Sequence, residues 1–394
     1  MGVNIGIIGA GIMGASHATR YDSLPQAHIV GIADVDSSRA RELAEQYDVT
    51  AYDDHTELLE EASVDAVSIC VHNALHCPLA CDALAAGVDV FCEKPMASSY
   101  AAAARMYDVA ESNDRFLAIQ NAPLYDPEVR VAKRFIDAGH LGRLYHGVVT
   151  RYSGSAGTPR RGRPFVNGYG SPAFLRRETA GGGAVFDLGT YAIGKLLYLF
   201  DNPTVERVKG RTFAHRDAML NDSTLGPNLD RYRNRLERAA PDVEDVGIGM
   251  ADLADGSTIF LRSAYAMEID PLIPDHIVGT TGGLRLDPFE YYATLADVGL
   301  SASADIASHT WRDRQFHDLS EVPADRLTDP LTNFVLALTG EQPPLPTAAI
   351  SLNAMAFLEG IYLSAEAGRE LSREEIERRS ERQEDPAGGV NESA

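Results

Sequence analysis

The sequence predicts an α/β chain in two parts: an N-terminal doubly wound parallel sheet, then an α+β domain on an open, mostly antiparallel sheet. Three observations carry this. The first 120 residues alternate continuous apolar runs with amphipathic stretches, later strands are joined by Gly- and Asp-containing turns, and 394 residues with 45% apolar content suffice for two domains.

In order, Val3 to Ile8, His28 to Ala33, Ala66 to Val71, Val88 to Cys92 and Phe116 to Gln120 are apolar runs of strand length. Helical patterns such as Ser38 to Tyr47 and Leu75 to Ala86 lie between them. Strands that are apolar throughout belong to a parallel sheet covered on both faces. After Asp126-Pro127 a helix runs from Glu128 to Ala138 and stops at Gly139. Leu144 to Tyr152, Val205 to Phe213, Val246 to Leu253 and Thr258 to Tyr265 then read as strands, and His276 to Gly279 turns through Thr280-Thr281-Gly282-Gly283 into Leu284 to Leu286. Leu331 to Leu338 and Ala348 to Ala367 are the last helical patterns. The expected divisions are 1–122, 123–371, and a disordered acidic tail over 372–394.

The formal net charge is −22, from 57 acidic and 35 basic residues. Such a surface is repelled by phosphate backbones and anionic headgroups, which argues against nucleic-acid and membrane partners. Only four of the basic residues are lysines (Lys94, Lys133, Lys195, Lys209) against 31 arginines, and lysine scarcity beside abundant carboxylates points to a halophile. No apolar run reaches the roughly 18 residues of a membrane span. The N-terminus enters Val3 to Ile8 without the basic start of a signal peptide, so a cytoplasmic location is expected, with Cys70, Cys77, Cys81 and Cys92 reduced.

Gly9-Ala10-Gly11-Ile12-Met13-Gly14 matches G-x-G-x-x-G between a strand and a helical pattern, and Asp34 ends the next strand 20 residues later. That context is the dinucleotide fingerprint of a Rossmann domain. Asp34 is placed to accept from ribose hydroxyls and to repel a 2′-phosphate, which favours NAD, while Ser37, Ser38 and Arg39 leave NADP open. His72-Asn73-Ala74-Leu75-His76 and Cys92-Glu93-Lys94-Pro95-Met96 stand at strand ends, where open α/β sheets bind ligands. Lys94 is a candidate proton donor or modulator of a hydroxyl pKa; the plain alternative is a solvated pair with Glu93. Gly181-Gly182-Gly183 leads to Asp187 and Tyr191, which share a face if Asp187 begins a helix; the plain alternative is a cap followed by a core tyrosine. His72, His76, Cys77 and Cys81 raise the question of a metal, and core packing of the cysteines answers it: none is expected. Arg160-Arg161-Gly162-Arg163 and Arg176-Arg177 are read as solvated or ion-paired arginines, with an anionic sugar acid or phosphate as the alternative target.

Taken together, the glycine fingerprint, Asn73-x-x-His76, Glu93-Lys94-Pro95, the triple glycine with Asp187 and Tyr191, the Gly279 to Gly283 hairpin and Ser364 to Gly368 resemble the glucose-fructose oxidoreductase, inositol dehydrogenase and MocA-like family over residues 3–370. The resemblance implies NAD(P)-dependent hydride transfer to or from a sugar or cyclitol hydroxyl, and a homodimer or homotetramer. It implies that Lys94, Asp187 and Tyr191 are catalytic and that Asn73, His76, Glu93, Lys94 and Gln120 join Gly9, Gly11, Ile12, Met13, Gly14 and Asp34 around the cofactor. Tyr191 stands where the inositol dehydrogenase branch has histidine, which points to an aldose-like substrate. His72 replaces the usual proline, and Asn121 to Tyr125 replaces an arginine-containing segment. A redox sensor that binds dinucleotide without turnover is the alternative from another class.

Overall fold

The computed structural model of the chain describes residues 2–152, 172–215, 241–265, 274–304, 306 and 329–384. The chain divides into two compact units, Met1–Ala122 with Asp325–Leu352, and Pro123–Ala324 with Asn353–Ala394.

In the first unit, β1 (Val3–Ile8), α1 (Ile12–Asp22), β2 (Ala27–Ala33), α2 (Ser37–Tyr47), β3 (Thr50–Tyr52), α3 (His55–Glu61), β4 (Ala66–Ile69), α4 (His76–Ala85), β5 (Asp89–Cys92), α5 (Tyr100–Ser112) and β6 (Leu117–Ile119) follow in sequence. The sheet is wholly parallel with order β3-β2-β1-β4-β5-β6. Its order reverses between β1 and β4, and this reversal opens a crevice at the strands' carboxyl ends. Ile5, Ile7, Ile32, Val67, Ile69, Val90 and Phe91 are fully buried, as strands covered on both faces require. Asp36 caps α2 by accepting from the backbone N–H of Ser38 and Arg39, which leaves Asp34 for another task.

This unit differs from the expected 1–122 in one respect. The helix Pro330–Leu338 supplies Leu331, Phe334 and Val335 to the same core as Val3, Ile5 and Phe91. Phe334 is 1% exposed, meets Phe91 edge-on at 5.4 Å and stacks on Phe116 at 5.5 Å. Arg20 of α1 donates to Asp329 and Thr332 at the start of that helix, at 2.5 and 2.7 Å.

The second unit begins with α6 (Pro127–Asp137) and β7 (Leu144–Tyr152), then α7 (Arg177–Ala180), α8 (Ala184–Asp187), α9 (Gly189–Leu199) and β8 (Val205–Phe213). It continues through β9 (Val246–Leu253), β10 (Thr258–Ala264), β11 (His276–Gly279), β12 (Gly282–Leu286), β13 (Phe289–Leu295) and β14 (Val298–Ser303). After α10, the helix Pro330–Leu338 of the first unit, come α11 (Thr347–Ala367), β15 (Leu371–Ser372) and α12 (Arg373–Glu384). The nine-stranded order is β14-β13-β12-β11-β7-β10-β9-β8-β15, antiparallel except for β7 beside β10. β8 is fastened to α11 by the N–H of Val205 to Asn353 Oδ1 and the N–H of Gly210 to Ser364 Oγ, both 3.0 Å. α11 has the length and apolar character of a membrane span, with mean hydropathy 1.3, but 83% of that window is buried in the protein. Residues 373–384, expected as tail, form α12, anchored by Ile376 and by Ser380 donating to Glu359.

Phe334→Ala is expected to cost about 3–5 kcal/mol, the range for truncating a buried aromatic. Denaturant unfolding should show the loss in the transition that NAD shifts, because the side chain belongs to the dinucleotide unit.

Candidate active site

The turn after β1 is backbone packed on backbone. Gly9 has φ +100°, and a Cβ there would lie 2.5 Å from the Cys70 carbonyl oxygen; one on Gly14 would lie 1.9 Å from that of Gly9. Only glycine fits these two positions. Gly11, the N-cap of α1, has nothing within 4 Å of its Cβ direction and offers no side-chain cap, so the first N–H groups of α1 face an open approach. Asp34 accepts from the N–H of Ala10 (2.7 Å) and of Asp36 (2.8 Å), which fixes its carboxylate beside the glycine turn. Ile12 and Val35 flank this region, 70% and 93% exposed, while Met13 is half-buried.

Glu93 and Lys94, at the end of β5, are 6% and 9% exposed. Lys94 is therefore not the solvated surface lysine of the plain alternative. Glu93 accepts from His17 Nε2 of α1 at 3.0 Å and from the Lys94 N–H at 3.2 Å. Burial pushes its carboxyl pKa up, but the hydrogen bond and charge of His17, with help from Lys94, outweigh that and hold it below the usual value. His76 is fully buried. Its Nδ1 lies 2.8 Å from the Pro95 carbonyl and Nε2 3.1 Å from that of Val71, so it braces the turn after Lys94; burial keeps its pKa below the ordinary value. Asn73 is also buried.

Buried polar atoms at the same sheet edge test the fit of a dinucleotide. His72 Nδ1, Gln120 Oε1 and both amide atoms of Asn121 are buried without a hydrogen-bond partner in the protein, which is costly unless a ligand or water supplies one. With the open helix start and the fixed Asp34, they make a set of acceptors and donors that suits a polar nucleotide. Among the described residues no three His, Cys, Asp or Glu side chains converge to hold a metal ion. All four cysteines are free.

The second unit supplies the other predicted residues. Asp187 does not begin a helix: it ends α8, and Leu188 joins α8 to α9 at φ −95° and ψ −36°. Those angles stay helical, so Tyr191, in the first turn of α9, keeps a helical spacing from it. Asp187 is 4% exposed and accepts from Tyr265 Oη at 3.2 Å. Ser263 Oγ donates to the Ala184 carbonyl at 2.6 Å, pinning α8 to β10. Buried Glu244 accepts from the N–H of Gly183 and Val185, both 2.9 Å, and so holds the triple-glycine approach; burial raises its pKa. Arg151 lies over the Tyr191 ring, 6.0 Å from its centre. Lys195, one further turn along α9, pairs with Asp275 at 2.5 Å. Tyr265, Glu244, Arg151 and Asp275 were not among the sequence candidates. Only the i, i+4, i+8 spacing of Asp187, Tyr191 and Lys195 offered a signal for part of this cluster. Arg177 pairs with Glu366 and covers the Tyr362 ring at 5.4 Å, whereas Arg160 to Arg163 lie outside the described residues.

A glycine turn at the switch point, a fixed Asp34 and a buried Lys94 on the first unit define a dinucleotide-dependent oxidoreductase. Comparison with known proteins agrees and is more specific. Residues 3–121 match the family described as "Oxidoreductase family, NAD-binding Rossmann fold" and residues 129–285 the "GFO/IDH/MocA C-terminal domain". The chain belongs to the GFO/IDH/MocA family, and its cofactor is NAD. It is 26% identical to D-glucoside 3-dehydrogenase of Escherichia coli over 74% of this chain and 78% of that one. It is 33% identical to inositol 2-dehydrogenase of Burkholderia cenocepacia over 36% of this chain and 43% of that one, less than half the relative's length. The structure of a levoglucosan dehydrogenase in complex with NADH and levoglucosan superimposes with TM-score 0.70 at 20% identity, covering 94% and 99% of the two chains. An oxidoreductase from Agrobacterium radiobacter with NAD+ and L-tartaric acid also gives 0.70 at 20% identity, over 95% and 99%.

The His17–Glu93 pair makes a pH prediction. Burial opposes charge on His17, but Cys70 and Glu93 outweigh it and raise its pKa from 6.5 to about 10. A raised pKa gives stability that is complete below 6.5 and is lost as pH climbs through about 10, whereas the lowered Glu93 pKa gives stability lost in acid. Denaturation midpoints should therefore fall from about pH 6.5 to 10. His17→Gln is expected to flatten that limb.

Proposed function

We propose that the protein is an NAD-dependent dehydrogenase that oxidises a secondary hydroxyl of a sugar, with a cyclitol as the next candidate. What supports this is a buried Lys94 at the carboxyl end of the parallel sheet and, separately in the second unit, an Asp187 carboxylate fixed by Tyr265, in a chain that aligns with D-glucoside 3-dehydrogenase over 78% of the latter's length.

Gly9, Gly11, Ile12, Met13 and Gly14 would hold the pyrophosphate at the start of α1, with Asp34 accepting from the adenosine ribose. Asn73, Glu93, Lys94 and Gln120, with His76 as a brace, would serve the nicotinamide end. Bound NAD supplies the hydride acceptor. Tyr191 takes the proton from the substrate hydroxyl and Asp187 orients that hydroxyl. A free tyrosine titrates near 10 and is a poor base at neutral pH. The guanidinium of Arg151 lies over its ring, and in the family pattern the lysine corresponding to Lys94 would favour the phenolate. A cytoplasmic homodimer or homotetramer whose activity rises with salt completes the reading.

Tyr191→Phe should lower kcat by about 10²- to 10⁴-fold with NAD affinity unchanged, in assays against glycosides, aldoses and cyclitols at molar salt. Near-wild-type turnover moves the base role to another group. Asp34→Ala is expected to weaken NAD about tenfold, ~1.4 kcal/mol, and to admit NADP; equal discrimination in titration calorimetry would remove Asp34 from cofactor selection.

A further inference from the structure

The four cysteines are not equivalent. Cys92 is fully buried, and burial pushes its thiol far up. Cys81 is also held protonated, first by its hydrogen bond with Cys77, 3.9 Å away along α4, then by burial. Cys70, at the end of β4 and half-buried, has different company. Its Sγ lies 3.1 Å from His17 Nδ1, and the opposite nitrogen of that ring meets Glu93 Oε1 at 3.0 Å. Ser68 Oγ lies 2.7 Å from the same Nδ1.

This is the geometry of an activated nucleophile: a thiol within reach of an imidazole whose far side is held by a carboxylate. With its pKa raised to about 10, His17 carries both ring protons at neutral pH: Nε2–H is donated to Glu93, and Nδ1–H faces Sγ and the Ser68 hydroxyl. A cation held against the sulfur favours the thiolate form that attacks an electrophile. The proposed hydride transfer uses neither Cys70 nor His17. The Cys70 backbone is also the surface on which the nucleotide turn rests, since a Cβ on Gly9 would come within 2.5 Å of its carbonyl oxygen.

We propose that Cys70 is a reactive thiol, activated by His17 and Glu93, whose modification by a soft electrophile or a peroxide switches off dinucleotide binding. With iodoacetamide, Sγ attacks the methylene carbon; an S–C bond forms, the C–I bond breaks, iodide leaves and the thiol proton stays on His17. With hydrogen peroxide, an S–O bond forms and the O–O bond breaks. The departing hydroxide takes the proton as water, the sulfur is oxidised by two electrons to a sulfenic acid, and the peroxide is reduced. Either product enlarges the side chain beside the His17 ring, on the residue whose backbone carbonyl packs against the Gly9 turn.

The test is iodoacetamide labelling of the full chain at neutral pH, followed by peptide mass spectrometry and NAD calorimetry. Cys70 should react about tenfold or more faster than Cys81, which is also half-buried, and saturating NAD should slow it. Stoichiometric labelling should weaken NAD binding about tenfold or more, while Cys70→Ser binds NAD as wild type does and is indifferent to the reagent. His17→Gln should bring Cys70 down to the rate of Cys81. Equal rates for Cys70 and Cys81 in the wild-type protein overturn the activated thiol without recourse to any variant. Unchanged NAD affinity after labelling overturns the switch. Because the untreated protein is titrated first, a failure to bind NAD at all would count against the cofactor assignment instead.

Discussion

A carboxylate withdrawn from water organises the first unit. Glu93 has 6% of its surface exposed, and a buried charge without partners costs several kcal/mol. It is offset by His17, which ties α1 to the end of β5, and by the N–H of Lys94. Breaking such a pair from one side typically costs about 3–5 kcal/mol, so the helix that starts at the nucleotide turn and the strand that presents the lysine are held in one arrangement. His76 extends the bracing through the carbonyls of Pro95 and Val71. The result is a lysine whose backbone is fixed on both sides, while polar atoms of His72, Gln120 and Asn121, after the ends of β4 and β6, are not satisfied by the protein itself.

The second unit solves a parallel problem differently. Asp187 stands on a four-residue helix, too short to hold its own geometry. Tertiary hydrogen bonds do it instead: Ser263 to the Ala184 carbonyl, Tyr265 to the carboxylate, and Glu244 to the backbone of Gly183 and Val185. Tyr362, stacked on Phe186 at 5.4 Å, fills behind them, and its own hydroxyl lies 3.2 Å from the Gly183 nitrogen. Precision at a loop-borne site is thus borrowed from strand β10, from α11 and from one buried acid.

The parallel sheet was legible because burial on both faces leaves unbroken apolar runs, and the glycine turn because backbone packed on backbone admits no other residue. Strand β3 is three residues long and β14 is exposed along its whole length, so neither leaves a periodic trace. Leu331, Phe334 and Val335 read as a helix, but nothing local says that its partner is Phe91, more than 200 residues earlier. α12 reads as tail because its mean character is strongly charged; only Ile376 and Ser380 are buried. Lys94, Asp187 and Tyr191 stood out by residue type and position. Glu244 and Tyr265 did not, because a buried acid that accepts backbone N–H groups has no spacing signature in the chain.

Lysine scarcity finds a physical rationale in where the lysines sit. Three of the four are drawn out of solvent: Lys94 at 9% exposure, Lys195 against Asp275 at 2.5 Å, and Lys133 between Asp137 and Asp201 at 2.5 and 2.6 Å. A compact ammonium with three donors can meet two carboxylates at once, as Lys133 does, whereas the flat guanidinium stays weakly hydrated at the surface and pairs there with single acids, as Arg207 and Arg369 do with Glu370 and Glu375. Cation type therefore follows environment, with arginine serving the carboxylate-rich exterior. At three of its four positions lysine holds an enclosed place where a point charge must be fixed, and Lys94 is the one of these that stands at the end of a strand of the dinucleotide sheet.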